Sequence, residues 1–301
     1  MSFRFLSCNT CGSVFRTPPY FETETYPDDY YGEDADEKFW FSPVFPLRKL
    51  ERDSRAKYLT RKARFKTAAL DIGCGNGKLL KHISRLNPNC SITGIELDSK
   101  AARRAAKIEG IRIFNQGLHR SDLGEDKFSI ISMIHSFEHI ANPEKTIQKL
   151  SKISNDNCLL YIAIPNRTSF QFNLFGKHWF HLDPEWHLHF IRPETLIIRL
   201  EKEGFEYVKS KHFNPVQNMS GFIISVQNLF TRKRNVFYDM LMNRSRLKKI
   251  IGVIAFLLYG ISTAILFFPA LIEEFLATLF RRGATIDIRE EINKTIVNFK
   301  F

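Results

Sequence analysis

The sequence predicts an α/β fold, a parallel sheet wound on both sides by helices, and three observations carry that expectation. AALDIG (68–73) is a short apolar run ending in glycine, and CGNGKLLKHISRL (74–86) turns helical behind it, with Leu79, Leu80, Ile83 and Leu86 on one face. Apolar runs and helical patterns then alternate up to residue 166. The chain has 301 residues and is 44% hydrophobic, enough for a sizeable core and too apolar for general disorder.

The elements follow in order. SITGIEL (91–97) is a second strand, and SKAARRAAKIEG (99–110) is an Ala-rich helix that Ser99 can cap and Gly110 can end. IRIFNQG (111–117) and FSIISMIHS (128–136) are the third and fourth strands. NPEKTIQKLSKI (142–153) opens with Asn before Pro, a good helix start, and LLYIAIPN (159–166) is the fifth strand. Ligands of such sheets bind beyond the carboxyl ends of the strands, so the first turn is the place to seek a site. It reads Asp71-Ile72-Gly73-Cys74-Gly75-Asn76-Gly77, a G-x-G-x-G spacing with an acid two residues before it. Glycines let backbone N–H groups approach a ligand at the helix start, and Glu96, at the end of the second strand, can accept from two ribose hydroxyls.

LDIGCGNG, GIELD, FEHIANPEKTI and YIAIPN together resemble the class I S-adenosylmethionine-dependent methyltransferases. The resemblance implies a Rossmann-like seven-stranded sheet and S-adenosyl-L-methionine as cofactor. It implies that Asp71 lies near the methionine end, that Gly73, Cys74, Gly75, Asn76 and Gly77 shape the turn beneath the cofactor, and that Glu96 and Leu97 flank the ribose. Gln116 would neighbour the adenine, and His135 and Ser136 would approach the methyl group.

PNRTSFQFNLFGKHWFHLDPEWHLHF (165–190) is an aromatic and polar insert that should cover the acceptor pocket, and it holds His178, His181, His187 and His189. A hydroxyl needs a base before it attacks a sulfonium methyl, and histidine titrates near neutral pH. The pattern Trp179, Leu182-Asp183-Pro184, His187-Leu188 and His189-Phe190 resembles a subgroup of these enzymes associated with polysaccharide assembly. On that resemblance His187 is the expected base, with His189 and His139 as further catalytic candidates. No metal is expected. The insert's histidines with Asp183 or Glu185 match no trusted zinc spacing, and Cys8-Asn9-Thr10-Cys11-Gly12 is one half of a zinc knuckle without a second half.

Three regions result. Residues 1–66 form an N-terminal extension with the cysteine pair, an acidic stretch (22–37) and a basic helix (48–66). Residues 67–213 form the cofactor-binding core, including the insert. Residues 214–301 carry a polar segment (220–230), a hydrophobic insertion and a closing strand (283–290). The run IIGVIAFLLYGISTAILFFPALI (250–272) has 23 uncharged residues, long enough to cross a bilayer about 30 Å thick. A single crossing would part the closing strand from its sheet, and Gly252, Gly260 and Pro269 interrupt the run. The expectation is therefore a helical hairpin over 247–282 that dips into or lies on the cytoplasmic membrane face; packing against the protein or a homodimer partner is the other way to bury it.

The start MSFRFLSCNT lacks the pattern of a secretory leader, and five scattered cysteines suit a reducing compartment. A net charge of +12 admits anionic lipid, phosphorylated substrate or nucleic acid as partner, but no nucleic-acid-binding module is present. The leading reading is a cytoplasmic, peripheral or monotopic O-methyltransferase acting on a small or lipid-linked sugar. A quinone-pathway methyltransferase is the enzymatic alternative, suggested by F-E-H and N-P-x-x-T. A nucleic-acid-binding protein and a non-enzymatic scaffold are alternatives of another class.

Overall fold

The structure, a computed structural model, describes residues 3–17, 44–62, 68–241 and 249–292. In chain order the elements are β1 (Arg4–Ser7), β2 (Val14–Thr17), α1 (Val44–Lys62), β3 (Ala68–Ile72), α2 (Lys78–Leu86), β4 (Ser91–Ile95), α3 (Lys100–Ala105), β5 (Ile111–Phe114), β6 (Phe128–Ile134), α4 (Pro143–Ile153), β7 (Ser154–Pro165), α5 (Phe170–Phe175), β8 (His189–Phe190), α6 (Pro193–Lys202), β9 (Phe205–Lys211), α7 (Pro215–Leu229), α8 (Val236–Leu241), α9 (Lys249–Leu279) and β10 (Thr285–Ile292). Seven strands form the main sheet in the order β5-β4-β3-β6-β7-β10-β9. The strands from β5 to β7 run parallel, and β10 lies antiparallel between β7 and β9. This is the doubly wound, Rossmann-like sheet, with the hydrophobic segment inserted before the last strand.

Local chemistry sets the helix starts as the sequence suggested. The Ser99 hydroxyl accepts from Ala102 N at 3.1 Å, and the Asn142 amide oxygen accepts from Lys145 N at 3.0 Å. Leu70, Ile131, Leu160, Ile162 and Ile288 are buried on one side of the sheet and Ala69, Ile130, Leu159 and Tyr161 on the other.

The N-terminal region does not stand apart from the core. Residues 48–62 of the basic segment lie in α1, and 63–66 lie outside the described residues; α1 sends Arg55 inward rather than into solvent. Arg55 pairs with Glu51 at 2.8 Å and Asp287 at 3.5 Å, and donates to Tyr161 Oη, which in turn donates to Asp287. Burial opposes the Arg55 charge, but Asp287, Tyr161 and Glu51 hold it firmly protonated. The cysteine pair sits in the turn of the β1–β2 hairpin, where Cys8 N donates to Ser13 O and Gly12 N to Cys8 O. Ser13 lowers the Cys11 thiol to about 7 by hydrogen bonding. The hairpin adds to β8 of the insert through Val14↔Phe190 and Phe15↔His189, making a second, three-stranded sheet. The acidic stretch 22–37 lies outside the described residues.

The expected hairpin over 247–282 is not what forms. Residues 249–279 are one continuous 31-residue helix, and 247–248 lie outside the described residues. Each glycine costs a helix about 1 kcal/mol relative to alanine, and Pro269 forfeits a backbone hydrogen bond. Packing outweighs these costs. The helical hairpin is instead formed by α7 and α9, lying antiparallel: Gln227 Nε2 donates to Ser262 Oγ at 2.9 Å near one end, and Asn218 Nδ2 to Glu274 Oε2 at 2.7 Å near the other. Ala270 and Ala277 are buried on the same seam, and Phe237 of α8 stacks on Tyr259 at 5.3 Å. The helix thus returns to the domain along its length, while Ile254, Leu258, Ile261, Ile265, Phe268 and Phe275 remain exposed on its outer face. Its stretch Gly252–Leu279 is long and apolar enough to cross a membrane by length and composition, with a mean hydropathy of 2.1.

Glu273 is the weak point of this seam. Gln171 Nε2 donates to its Oε2 at 2.8 Å, but its buried Oε1 and Gln171 Oε1 have no partner among the described residues. Burial raises the Glu273 carboxyl to about 7, opposed by the Gln171 hydrogen bond. The folded state therefore holds a proton that the unfolded chain releases near pH 4.3, so stability falls as pH rises between the two values. Glu273→Gln supplies a neutral amide that can satisfy Gln171, and is expected to raise Tm by a few degrees at pH 8 and less at pH 5 in a thermal melt. An unchanged or lower Tm at pH 8 refutes this account of the seam.

Candidate active site

The turn between β3 and α2 is built from close backbone approaches. Gly73 N donates to Ile95 O at 2.7 Å, and Gly75 N to Glu96 Oε2 at 2.7 Å. Leu97 N donates to Glu96 Oε1, so both Glu96 oxygens are tied to the backbone and the carboxylate is fixed beside the turn. The three glycines serve different ends. All have positive φ, but a Cβ on Gly73 would lie 2.4 Å from Ser136 Cβ, and one on Gly77 would lie 2.8 Å from Ile108. A Cβ on Gly75 meets nothing within 4 Å, so at this position the turn faces open space. That cradle, with the Glu96 carboxylate beside it, fits the ribose and amino-acid portion of a nucleoside cofactor.

The other expected cofactor neighbours surround this turn. The Cys74 thiol is buried and pushed well up by burial, with Asp71 and Glu96 adding to the effect, so it is an inert thiol. The Asn76 side chain accepts from Lys78 N at the start of α2. Leu97 faces Gly117, and Gln116, beyond β5, donates to Arg120 O. Asp71 is buried within β3, where Ser132 Oγ of β6 donates to it at 2.7 Å. Burial raises its carboxyl to about 6, while Ser132 and Arg55 pull it down.

Immediately after β6, the chain folds back over the turn. His135 takes a φ of 53°, a left-handed conformation that costs about 1–3 kcal/mol and is held by His135 N donating to Ala163 O. Ser136 Oγ donates to Ile72 O at 2.6 Å. The turn Phe137–His139 then points Glu138 inward. Three hydrogen bonds clamp the insert onto this segment: Leu188 N to Glu138 O, His139 Nδ1 to Trp186 O, and His189 Nε2 to Ile140 O. Arg16 of the N-terminal hairpin supports the insert from outside by donating to Pro184 O and Glu185 O.

The result is a carboxylate ringed by imidazoles. Glu138 Oε1 lies 3.7 Å from His135 Nδ1 and 3.9 Å from His187 Nε2, and neither Glu138 oxygen has a hydrogen-bond partner among the described residues. The His139 and His187 rings meet edge-on at 4.7 Å. Because carbonyls only accept, the 2.8 Å bond between His187 Nδ1 and His181 O fixes the proton on Nδ1 and leaves the lone pair on Nε2, toward Glu138. Burial pushes His187 below the ordinary histidine range, and lowers His139 to about 4, His181 to about 3 and His189 to about 4. Burial alone would raise Glu138; its neighbour His135 and the charges that His139 and His187 can carry bring it down to about 2. At neutral pH His139 and His187 are neutral bases beside one buried anion. Glu138, His139 and His187 also offer one ligand atom each within 4.8 Å of one another, a donor set that could hold a divalent cation.

His187 and His139 thus meet at one point, whereas His189 lies behind them, in β8 between Phe15 and Phe137. Glu138, inside the F-E-H motif, sits at the centre of the cluster, a role that local pattern alone does not assign. An acid flanked by histidines at i−3 and i+1 in a turn after a strand was the available signal.

The residues 47–210, more than half of the chain, match the family model described as Methyltransferase domain. The chain belongs to that family, and its fold, cofactor turn and sheet order make it a class I S-adenosylmethionine-dependent methyltransferase. It is 29% identical over 203 residues to the ubiquinone biosynthesis O-methyltransferase of Glaesserella parasuis serovar 5 (strain SH0165), covering 58% of this chain and 80% of that protein. It is 29% identical over 162 residues to the enzyme of the same name from Nitrosococcus oceani, covering 49% and 67%. Among solved structures, the plantazolicin methyltransferase BpumL, in complex with a pentazolic desmethylPZN analog and SAH, superposes with a TM-score of 0.50 at 17% identity, covering 86% of this chain and 89% of that one. StiE O-MT superposes with a TM-score of 0.52 at 12% identity, covering 90% and 85%. These two show the fold.

The cradle at Gly75 makes a direct prediction. Gly75→Arg fills open space without touching the core, though the φ of 55° strains a side-chain-bearing residue there and is expected to lower Tm by a few degrees; it should abolish S-adenosylmethionine binding in calorimetry while circular dichroism stays that of the unaltered chain. Unchanged affinity in that variant would remove the cofactor from this turn.

Proposed function

We propose that the chain is an O-methyltransferase that acts at a membrane surface on a hydroxyl carried by a lipid-borne acceptor, and that His187 is its general base. The bound S-adenosylmethionine supplies an electrophilic methyl group. The single observation that carries the proposal is the neutral His187 with its Nε2 lone pair directed toward Glu138. An acceptor hydroxyl entering between Glu138 and His187 would lose its proton to His187 Nε2. The imidazolium so formed would lie 3.9 Å from the Glu138 carboxylate, which stabilises it. Glu138 has a second electrostatic consequence: a buried anion beside the methyl-binding region favours a cationic cofactor over its neutral product. His139 borders the same space, and Trp179 and Phe190 supply its apolar backing.

A phenol of a quinone precursor is the acceptor that the ubiquinone-pathway relatives favour. A sugar hydroxyl on a phosphorylated lipid is the second reading; one observation favours it, a cavity lined by three arginines beside the insert. The exposed apolar face of α9 supports membrane attachment in both. This helix lies along the domain rather than projecting from it, as an interfacial helix would, and the +12 net charge suits an anionic surface. Mass spectrometry of lipid-linked glycans and of quinone intermediates, with and without the protein, tests the acceptor: one class is expected to lose a methyl group. Loss in neither class contradicts the proposal.

His187→Gln is expected to lower kcat by about 100-fold or more while S-adenosylmethionine affinity holds. Because burial depresses His187, the neutral base persists below its ordinary pKa of about 6.5. The pH–rate profile should therefore stay flat down through that value and fall only on the acid side of it. A rate that declines with an apparent pKa at or above 6.5, or a His187→Gln enzyme of normal turnover, assigns the base elsewhere.

A further inference from the structure

Beyond the methyl-transfer site, on the same carboxyl edge of the sheet, lies a cavity of 250 Å³. Its walls come from five separate parts of the chain. Arg167 and Thr168 follow β7, Asn173 lies in α5, Arg192 precedes α6, Arg282 precedes β10, and Ser7 comes from the β1–β2 hairpin. Three arginines line the cavity, and among the described residues no carboxylate does. Like charges repel, and an anion bound between them would relieve that repulsion.

Each arginine is held in position. The Arg167 guanidinium stacks 4.1 Å above the Phe172 ring, and its Nε is buried without a hydrogen-bond partner among the described residues. Arg282 Nη1 donates to Thr168 O at 2.8 Å, which ties the end of the α9 segment to the residues after β7. The Arg192 stem lies against Gly12, where a Cβ would approach to 3.2 Å. Among the described residues Arg192 pairs with Glu194, at 3.4 Å in an exposed pair that contributes little. Planar guanidinium forks beside the hydroxyl and amide side chains of Ser7, Thr168 and Asn173 suit a phosphate group, whose oxygens accept bidentate hydrogen bonds.

We propose that Arg167, Arg192 and Arg282 form a binding site for a phosphate group, carried either by the acceptor or by the lipid headgroups of the surface on which the enzyme works. The site deepens the reading of a lipid-borne acceptor and rests on it for its role, but not for its existence. It stands where α9 re-enters the domain, so a phosphate held there would lie at the junction of the apolar helix and the insert over the methyl-transfer site. That is the position of the headgroup in a molecule whose lipid lies along α9 and whose polar end reaches the catalytic cluster.

The test uses the full chain and its variants Arg192→Gln and Arg282→Gln. Arg85→Gln, an exposed charge loss at the far end of α2, is the control. Calorimetry with inorganic pyrophosphate is the first arm. Flotation with phosphatidylcholine vesicles, with and without phosphatidylglycerol, is the second. S-adenosylmethionine affinity verifies that each variant keeps its fold. Pyrophosphate binding that weakens about tenfold in both cavity variants but not in the control supports the site and makes the acceptor the source of the phosphate. Anionic-vesicle binding that falls in the same two variants, with no response to pyrophosphate, supports the site and makes the headgroup the source. Equal behaviour of cavity and control variants in both arms overturns the proposal. Pyrophosphate binding without any hydroxyl methylation would leave the phosphate site intact and remove the O-methyltransferase reading, so the two fail separately.

Discussion

The contact between Gly73 and Ser136 is the constraint on which the site depends. Strands β3 and β6 are neighbours, and the residues just beyond their carboxyl ends press together so closely that a methyl group at 73 would lie 2.4 Å from Ser136 Cβ. That approach lets Ser136 bond Ile72 O and locks the segment after β6 to the cofactor turn. With that segment fixed, His135 is forced into a left-handed conformation and Glu138 turns inward. Without the glycine, the cofactor turn and the carboxylate cluster could not share one space.

A second tier of contacts aims the insert at this segment. Trp186, Leu188 and His189 bond to the stretch 138–140, and the N-terminal hairpin pairs with β8 from behind. A region that reads as an appendage is therefore a brace for the acceptor side. Arg55 plays a comparable role below the sheet, where it bridges α1 to Tyr161 and Asp287 on β7 and β10. The α7–α9 seam extends the same logic: its alanines and paired polar groups face inward, so the apolar residues of α9 face out.

Much of this was legible in the sequence. Local rules place Ser99 and Asn142 as caps, and the glycine turn and Glu96 follow from the chemistry of nucleotide sites. The strand order beyond β7 and the closing strand came from family resemblance. What the sequence concealed depends on distant pairing. Periodicity cannot say that Arg55 meets Asp287, that Val14 meets Phe190, or that Glu138 becomes the centre of three histidines drawn from two segments. The hydrophobic run was misjudged for a related reason. Gly252, Gly260 and Pro269 are breakers by intrinsic propensity, but the packing of α9 against α7, which no local rule reports, keeps the helix continuous. The three arginines around the cavity are scattered over more than a hundred positions and carry no motif.

Determining a crystal structure of the protein with S-adenosylhomocysteine bound would test the central claim most directly. The expected result has the ribose hydroxyls on Glu96, the ligand backbone against Gly75, and the sulfur directed toward the space between Glu138 and His187. A ligand bound away from the β3–α2 turn, or one whose sulfur faces away from the Glu138 cluster, would contradict the account.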